Sequence, residues 1–299
     1  MKKRRGVMLA YPTSEGLVNR LGDSFFAQPK FNGERCVVEW FGGEPYFISA
    51  FGNTYWVPHL QNQMLQLAKT LGFQPAFDGE LYTHGWPRER IRSAVSRKVN
   101  KSGDIEGVGY HIFDLREENP QLQRIFRLLV AKQHVNQLLS TEPDWQLFVA
   151  ETVLTNSTDW VRLCREFVDS GYEGIILRHA EGVYKPKRNV QMLKYKPTEY
   201  DDYQVVDIEE AYTKENTPKG MVGAFVVADQ DGRQFKVSAG QLTFAERREI
   251  WQKKDKLLAS QPLLLLVKHE AIKTVNGIPL CAVASKLHTK KDRWHHDFD

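Results

Sequence analysis

Lys30 heads the segment Lys30-Phe31-Asn32-Gly33-Glu34-Arg35, in which an Asn-Gly pair lies between two cations. Asn-Gly favours a tight turn, so the segment reads as a short loop ahead of the first strand, aiming Lys30 and Arg35 at one small anionic group. A lysine held among other cations has its charged form disfavoured, which raises the share of neutral, nucleophilic amine. Alone, a lysine before a strand is ordinarily a solvated surface residue. Four later segments change its standing. Asp78-Gly79-Glu80-Leu81 sets two acids at the end of an apolar run, and an acid buried in a strand is costly unless it is paired or binds metal. Tyr110-His111-Ile112-Phe113-Asp114 reads as a strand carrying aromatic side chains. Glu173-Gly174-Ile175-Ile176-Leu177-Arg178 puts a carboxylate at the head of a buried strand. Leu193-Lys194-Tyr195-Lys196-Pro197 puts lysines at i and i+2, on one face of a strand. Together they offer one amine nucleophile, further cations for phosphates, two carboxylates for a divalent metal and an aromatic ring for a base. Transfer of a nucleotidyl group from a triphosphate needs that set.

The elements that must position these residues are legible in outline. Residues 36–41 and 46–49 read as a hairpin around Gly42-Gly43. Residues 59–71 carry apolar side chains at helical spacing, closed by Gly72 as a C-cap. Residues 110–115, 145–150, 174–177 and 192–195 read as strands, and 122–139 and 158–169 as helices. Helices alternating with antiparallel hairpins suit an α+β fold better than a doubly wound one. Beyond Lys196-Pro197 the texture changes to short strands at 203–208, 222–228, 234–237, 263–268 and 280–284, with one helix at 244–258. Five strands interrupted by one helix is the profile of an oligonucleotide-binding (OB-fold) barrel. The division expected is 1–197 and 198–299, with residues 197–201 as the linker.

The ordered series resembles that of the covalent nucleotidyltransferase superfamily, and most closely its small ATP-dependent DNA ligases of bacteriophages and some bacteria. The resemblance runs from about Gln28 to Lys196, with a weaker tail through the barrel. It implies an adenylation domain of antiparallel sheets with flanking helices, followed by an OB-fold. It implies that ATP places AMP covalently on Lys30, that Arg35 is the arginine of the same motif, and that Glu80 lies near the ribose and metal. Phe113, or else Tyr110, stacks on adenine, and Gln28 reads the adenine edge. Glu173 and Glu80 hold Mg²⁺ (or Mn²⁺), and Lys194 and Lys196 hold the α-phosphate. Two departures stand out. Where the family carries Ser-Arg after the second strand, this chain has Ser49-Ala50, so either another cation, Arg88 or Arg92, substitutes or the contact is absent. The C-terminal motif is altered to Lys286-Leu287-His288-Thr289-Lys290-Lys291-Asp292-Arg293, in which Lys290 approaches the pyrophosphate.

Composition agrees with this and adds bounds. The chain has 299 residues, 41% hydrophobic, enough to bury a core in two modest domains. No apolar run approaches the roughly 18–20 residues a membrane span requires. The apolar stretch after the basic start stops at Tyr11-Pro12, too soon for a secretory leader, so a cytoplasmic monomer is expected. Three isolated cysteines suggest a reducing compartment, not a disulfide framework or a zinc site. Net charge is only +4, but the cations cluster. Arg88, Arg90, Arg92, Arg97, Lys98 and Lys101 form the candidate DNA clamp for a nicked duplex. Alternatives that remain open are an RNA ligase, a GTP-dependent capping-type nucleotidyltransferase, and a non-catalytic nucleic-acid binder using the barrel alone.

Overall fold

The computed structural model describes residues 6–13, 15–96, 103–259, 262–270, 277–279 and 281–289. In chain order the strands are β1 (Leu9–Pro12), β2 (Phe25–Lys30), β3 (Glu34–Phe41), β4 (Glu44–Ser49), β5 (Phe77–Tyr82), β6 (Gly109–Leu115), β7 (Leu147–Val149), β8 (Val153–Thr155), β9 (Gly174–His179), β10 (Arg188–Tyr195), β11 (Thr198–Tyr212), β12 (Pro218–Ala228), β13 (Gln234–Ser238), β14 (Leu263–Glu270) and β15 (Val283–Thr289). The helices are α1 (Glu15–Val18), α2 (Pro58–Leu71), α3 (Arg88–Ser96), α4 (Gln121–Thr141), α5 (Trp160–Asp169), α6 (Phe244–Gln252) and α7 (Lys254–Ala259). The chain divides into two compact units, Met1–Lys196 and Pro197–Asp299.

The first unit holds two five-stranded sheets, ordered β1-β10-β9-β2-β8 and β4-β3-β5-β6-β7. Side chains alternate between the faces of a strand, and in the first sheet this alternation separates packing from chemistry. Phe25, Ala27, Ile175, Leu177 and Leu193 face α5 and pack on Leu163, Cys164 and Phe167. Burying each large apolar side chain contributes roughly 1.5–3 kcal/mol. The intervening residues therefore point the other way. They form rows across the sheet: Phe26, Arg178 and Met192; Gln28, Ile176 and Lys194; then Lys30 beside Gly174. The second sheet buries Phe47, Tyr110 and Leu81 against Leu60, Met64 and Leu67 of α2 and Leu128 of α4. Helix α2 begins with Pro58 and ends on Gly72 at φ 74°, whose N–H bonds the carbonyls of Ala68 and Lys69.

The second unit is a closed barrel, β11-β12-β13-β15-β14, with α6 and α7 between its third and fourth strands. Helix α6 opens on a capping box between Thr243 and Glu246.

Several expectations need correcting. Lys30 does not lie on a loop before the first strand. It ends β2, a strand that the sequence hides because Gln28, Pro29 and Lys30 break its apolar pattern. Pro29 is tolerated because β8 pairs only with Phe25, Phe26 and Ala27 and has ended by then. Strands β1 and β8 were also not anticipated. Residues 197–201 are no linker, since β11 starts at Thr198. The last strand runs over Val283–Thr289, not 280–284, its alternation masked by Lys286 and His288. The helix expected at 244–258 breaks at Lys253.

A Cβ on Gly174 would collide with the Tyr195 carbonyl and lie 3.1 Å from the Lys196 Cα, whereas one on Gly16 would meet nothing within 4 Å. Gly174→Ala is therefore expected to cost about 1–3 kcal/mol, lowering Tm by roughly 2–12 °C. Gly16→Ala should leave Tm within about a degree; equal shifts in calorimetry would refute the close-approach account.

Candidate active site

The polar face of the first sheet and the edge of β3 enclose a pocket within the first unit. Its lining includes Leu9, Gln28, Lys30, Gly33, Arg35, Glu80, Arg88, Phe113, Glu173, Ile176, Arg178, Arg188, Met192, Lys194 and Lys196. Gln28, Lys30, Arg35, Glu80, Phe113, Glu173, Lys194 and Lys196, expected from the sequence to serve the nucleotide and metal, are thus brought to one place, with Arg88 from the basic group. The register explains why. Lys30 and Gly174 are neighbours on β2 and β9, and Lys196 follows β10 beside Gly174. Gly174 has no side chain, and this lets the Tyr195 carbonyl and Lys196 lie close against it. The Glu173 carboxylate, 5% exposed, is ion-paired through one oxygen to Lys30 and through the other to Lys196. The Glu173 backbone N–H also donates to the Lys30 carbonyl at 3.0 Å. Burial and the neighbouring charges of Lys30, Lys196 and Arg188 hold the Lys194 ammonium below its ordinary value.

Across the pocket, Arg35 and Glu80 are direct partners on β3 and β5. Gly33 is required here, because a Cβ would collide with the Leu81 carbonyl and lie 2.9 Å from the Glu80 Cγ. Arg35 is not on a loop with Lys30. Its guanidinium forks onto the fully buried Asp78, at 2.6 Å from Nε and 2.5 Å from Nη2, and stands 4.5 Å from the Phe113 ring centroid. Asp78 also accepts from the Tyr184 hydroxyl at 2.6 Å. Glu80 differs from the other acids. It has no hydrogen-bond or ion-pair partner among the described residues. Burial pushes its carboxyl up to about 7, against the opposing pull of Arg35, Lys30 and Arg88.

Of the two aromatic candidates, Phe113 lines the pocket. Tyr110 is fully buried in the core, packed edge-on to Phe47 and donating to the Cys36 carbonyl at 3.1 Å. Gln28 lies in the pocket wall, its amide bonded to the protein. Nε2 donates to the Phe113 carbonyl at 3.0 Å and to Thr152 at 2.9 Å, and Oε1 accepts from Arg178 at 2.7 Å. Both Nε2 hydrogens are thereby used, while Oε1 keeps a second lone pair with which to accept from a base edge. Arg178 continues to Asp114 at 2.7 Å, and Asp114 pairs with the fully buried Arg124 at 2.8 Å. Removing one member of such a buried pair typically costs 3–5 kcal/mol.

Arg88 and Arg92 part company. Arg88 lines the pocket and bonds Glu34 at 3.1 Å. Arg92 is exposed on α3 and outside the lining. Arg90 is engaged by Asp104 at 2.8 Å and lies 3.7 Å from the Trp86 ring centroid. Ala50 is buried with Val7 and Val37. Arg97, Lys98, Lys101 and Lys290 lie outside the described residues. The sequence did not connect Arg178 and Arg188 to the site. Arg178 was signalled by its alternation with Ile175 and Leu177 on β9, and Arg188 only by membership of the basic group 185–188.

For a divalent cation, the Glu80 carboxylate fits, being a half-buried acid with no ion-pair partner among the described residues. Glu173 fits on condition that it exchanges a lysine for the metal. Magnesium favours such sparse carboxylate sites completed by phosphate oxygens.

The profile of the ATP dependent DNA ligase domain matches residues 7–196. A DNA ligase of African swine fever virus (strain Badajoz 1971 Vero-adapted) is 24% identical over 267 residues, covering 84% of this chain and 58% of its own length. The chain therefore spans little more than half of that curated relative. Among solved structures, a protein described in "DNA binding with a minimal scaffold: Structure-function analysis of Lig E DNA ligases" superposes with TM-score 0.68 and 21% identity, over 95% of this chain and 99% of that one. The ATP-dependent DNA ligase from bacteriophage T7, in complex with ATP, superposes with TM-score 0.56 and 15% identity, over 94% and 98%. At such identities these likenesses establish the fold. No helix among the described residues is long and apolar enough to cross a membrane.

The raised Glu80 value has a defined consequence for stability. Its contribution is full below the ordinary value of 4.5 and is lost as pH rises through about 7. Relative to wild type, Glu80→Gln is expected to gain about 1–2 kcal/mol between pH 4.5 and pH 7, measured by urea unfolding without metal or nucleotide. A difference that stays constant across that window would contradict the assignment.

Proposed function

The chain belongs to the ATP dependent DNA ligase domain family, and from that premise we propose that it seals nicks in duplex DNA through an AMP carried on Lys30. The supporting observation is the Lys30–Glu173–Lys196 bridge on the pocket floor. The first step forms a phosphorus–nitrogen bond from the Lys30 Nζ to the α-phosphorus of ATP, and pyrophosphate leaves. The amine must shed a proton to attack, and Glu173 is the carboxylate already hydrogen-bonded to it. AMP then passes to the 5′-phosphate of a nick, regenerating the amine. The 3′-hydroxyl finally attacks that activated phosphate and AMP leaves. Each displacement at phosphorus depends mainly on positioning and charge stabilisation.

The pocket wall divides the work. Phe113, Ile176 and Met192 offer an apolar surface for the base, and Gln28 and Arg178 brace Phe113 from behind. Lys194 and Lys196 take the α-phosphate, and Arg35 supports the site from its seat on Asp78. Mg²⁺, held by Glu80 and Glu173, supplies charge neutralisation at the phosphates. Arg88 and Arg188 are the pocket cations suited to the DNA 5′-phosphate. The first unit corresponds to the adenylation domain. The barrel, with its helices between the third and fourth strands, is of the oligonucleotide-binding type. DNA contacts are directed at phosphates, since a nick carries no sequence of its own, and affinity falls steeply with salt.

A gel assay on a fluorescent nicked duplex tests this. With ATP and Mg²⁺, wild type should convert the nick to continuous strand, and Lys30→Ala should lose that activity by about a thousandfold or more. On a nick already carrying 5′-AMP, Lys30→Ala should still join the ends, because the lysine's task precedes that step. Sealing of the plain nick by Lys30→Ala, or no sealing by wild type, would overturn the proposal.

A further inference from the structure

The barrel carries a group of chemistry-bearing side chains of its own. Glu199 and Asp201 are two apart on β11 and stand on one face. His269 on β14 is the direct cross-strand partner of Glu199. One ligand atom from each of the three lies within 4.8 Å of the others. Exposed acids gather without an ion often enough, so the argument rests on the histidine.

His269 is 1% exposed. Its Nδ1 lies 2.8 Å from the backbone carbonyl of Glu270. A carbonyl can only accept, so Nδ1 carries the proton and donates. In the neutral ring Nε2 is then a bare lone pair. That lone pair sits 3.0 Å from Oδ2 of Asp201, which is also an acceptor. Two acceptors at this distance, one of them sealed from water, repel each other unless a cation lies between them. The cation is either a proton, making His269 an imidazolium, or a metal ion. Two features favour the metal. An Nδ1–H anchored on a backbone carbonyl is the arrangement that orients Nε2 for coordination. A second carboxylate, Glu199, converges on the same point and brings the donor set to three.

We propose that Glu199, Asp201 and His269 bind a divalent transition-metal ion of the zinc type, through one imidazole nitrogen and two carboxylate oxygens, with water completing the shell. The donor set decides the class of ion. A buried imidazole suits zinc or cobalt and is a poor ligand for magnesium, which prefers oxygen alone. Two carboxylates match the double charge. The ion joins β11 to β14 only a few residues beyond Lys196. The site is independent of the ligase activity, and its test does not involve that activity.

Co²⁺ serves as the probe, titrated into the full chain by calorimetry and visible absorption in the presence of excess Mg²⁺. Wild type should bind Co²⁺ with a nitrogen/oxygen-type absorption band, and Zn²⁺ should raise its Tm. Glu199→Gln, an exposed position that leaves the His269–Asp201 pair in place, should weaken this binding by about tenfold or more and abolish the Zn²⁺-induced rise. Asp201→Asn should do the same. Glu80→Gln should leave it unchanged, which separates it from any cation in the nucleotide pocket. Wild-type stoichiometry, affinity and spectrum in Glu199→Gln would overturn the proposal and leave the protonated His269–Asp201 pair as the account.

Discussion

The Glu173 carboxylate lies between the ammonium groups of Lys30 and Lys196, next to Gly174, whose missing side chain admits the Tyr195 carbonyl and Lys196. The rest of the first unit is organised around that contact. The pocket presents seven cations, Lys30, Arg35, Arg88, Arg178, Arg188, Lys194 and Lys196, against two carboxylates, Glu80 and Glu173. So many like charges are tolerable only because some are anchored outside the cavity and the lysines share an anion within it. Arg35 is anchored on Asp78, Arg178 on Asp114 and Arg88 on Glu34. What remains unneutralised is the demand for a polyanion, and a triphosphate or a nucleic-acid 5′-phosphate meets it. Such a ligand enters by exchanging partners with groups already in place.

That exchange depends on a rigid frame, and the two-residue period of the sheet supplies it. The same strands that give Ala27, Ile175, Leu177 and Leu193 to the core beneath give Gln28, Lys30, Ile176 and Lys194 to the pocket above. A slip of one residue in either pairing would exchange the two sets. The buried chain Gln28–Arg178–Asp114–Arg124 extends this frame behind Phe113, tying β2, β9, β6 and α4 into one network of satisfied bonds. Networks of this kind are stabilising only when complete.

The site was more legible in the sequence than the strands that carry it. Lys30, Glu80, Glu173, Lys194 and Lys196 declare themselves as charged residues in or beside apolar runs, a pattern that packing alone does not explain. Strand β2 failed to appear because its function breaks its periodicity: Gln28, Pro29 and Lys30 occupy positions where an ordinary strand would show alternation. Arg178 went unassigned because its role is set by Asp114 and Gln28, distant in sequence and adjacent only through the β2–β9 pairing. Gln28 was assigned to the ligand because its side chain suits an adenine edge; its bonds to Phe113, Thr152 and Arg178, which also fix that side chain in the wall, join segments too distant in sequence to be read. The barrel's strand count was readable. The start of β11 was not, because Pro197 and the acids after it resemble a linker in composition while pairing fully with β14.

The central claim is that this arrangement makes the Lys30 amine the nucleophile toward ATP, and intact-mass spectrometry tests it most directly. After incubation with ATP and Mg²⁺, the protein should gain the mass of one AMP, released by added pyrophosphate, and peptide mapping should place it on Lys30. Properly folded protein that gains no adduct, or gains it on another residue, would contradict the account.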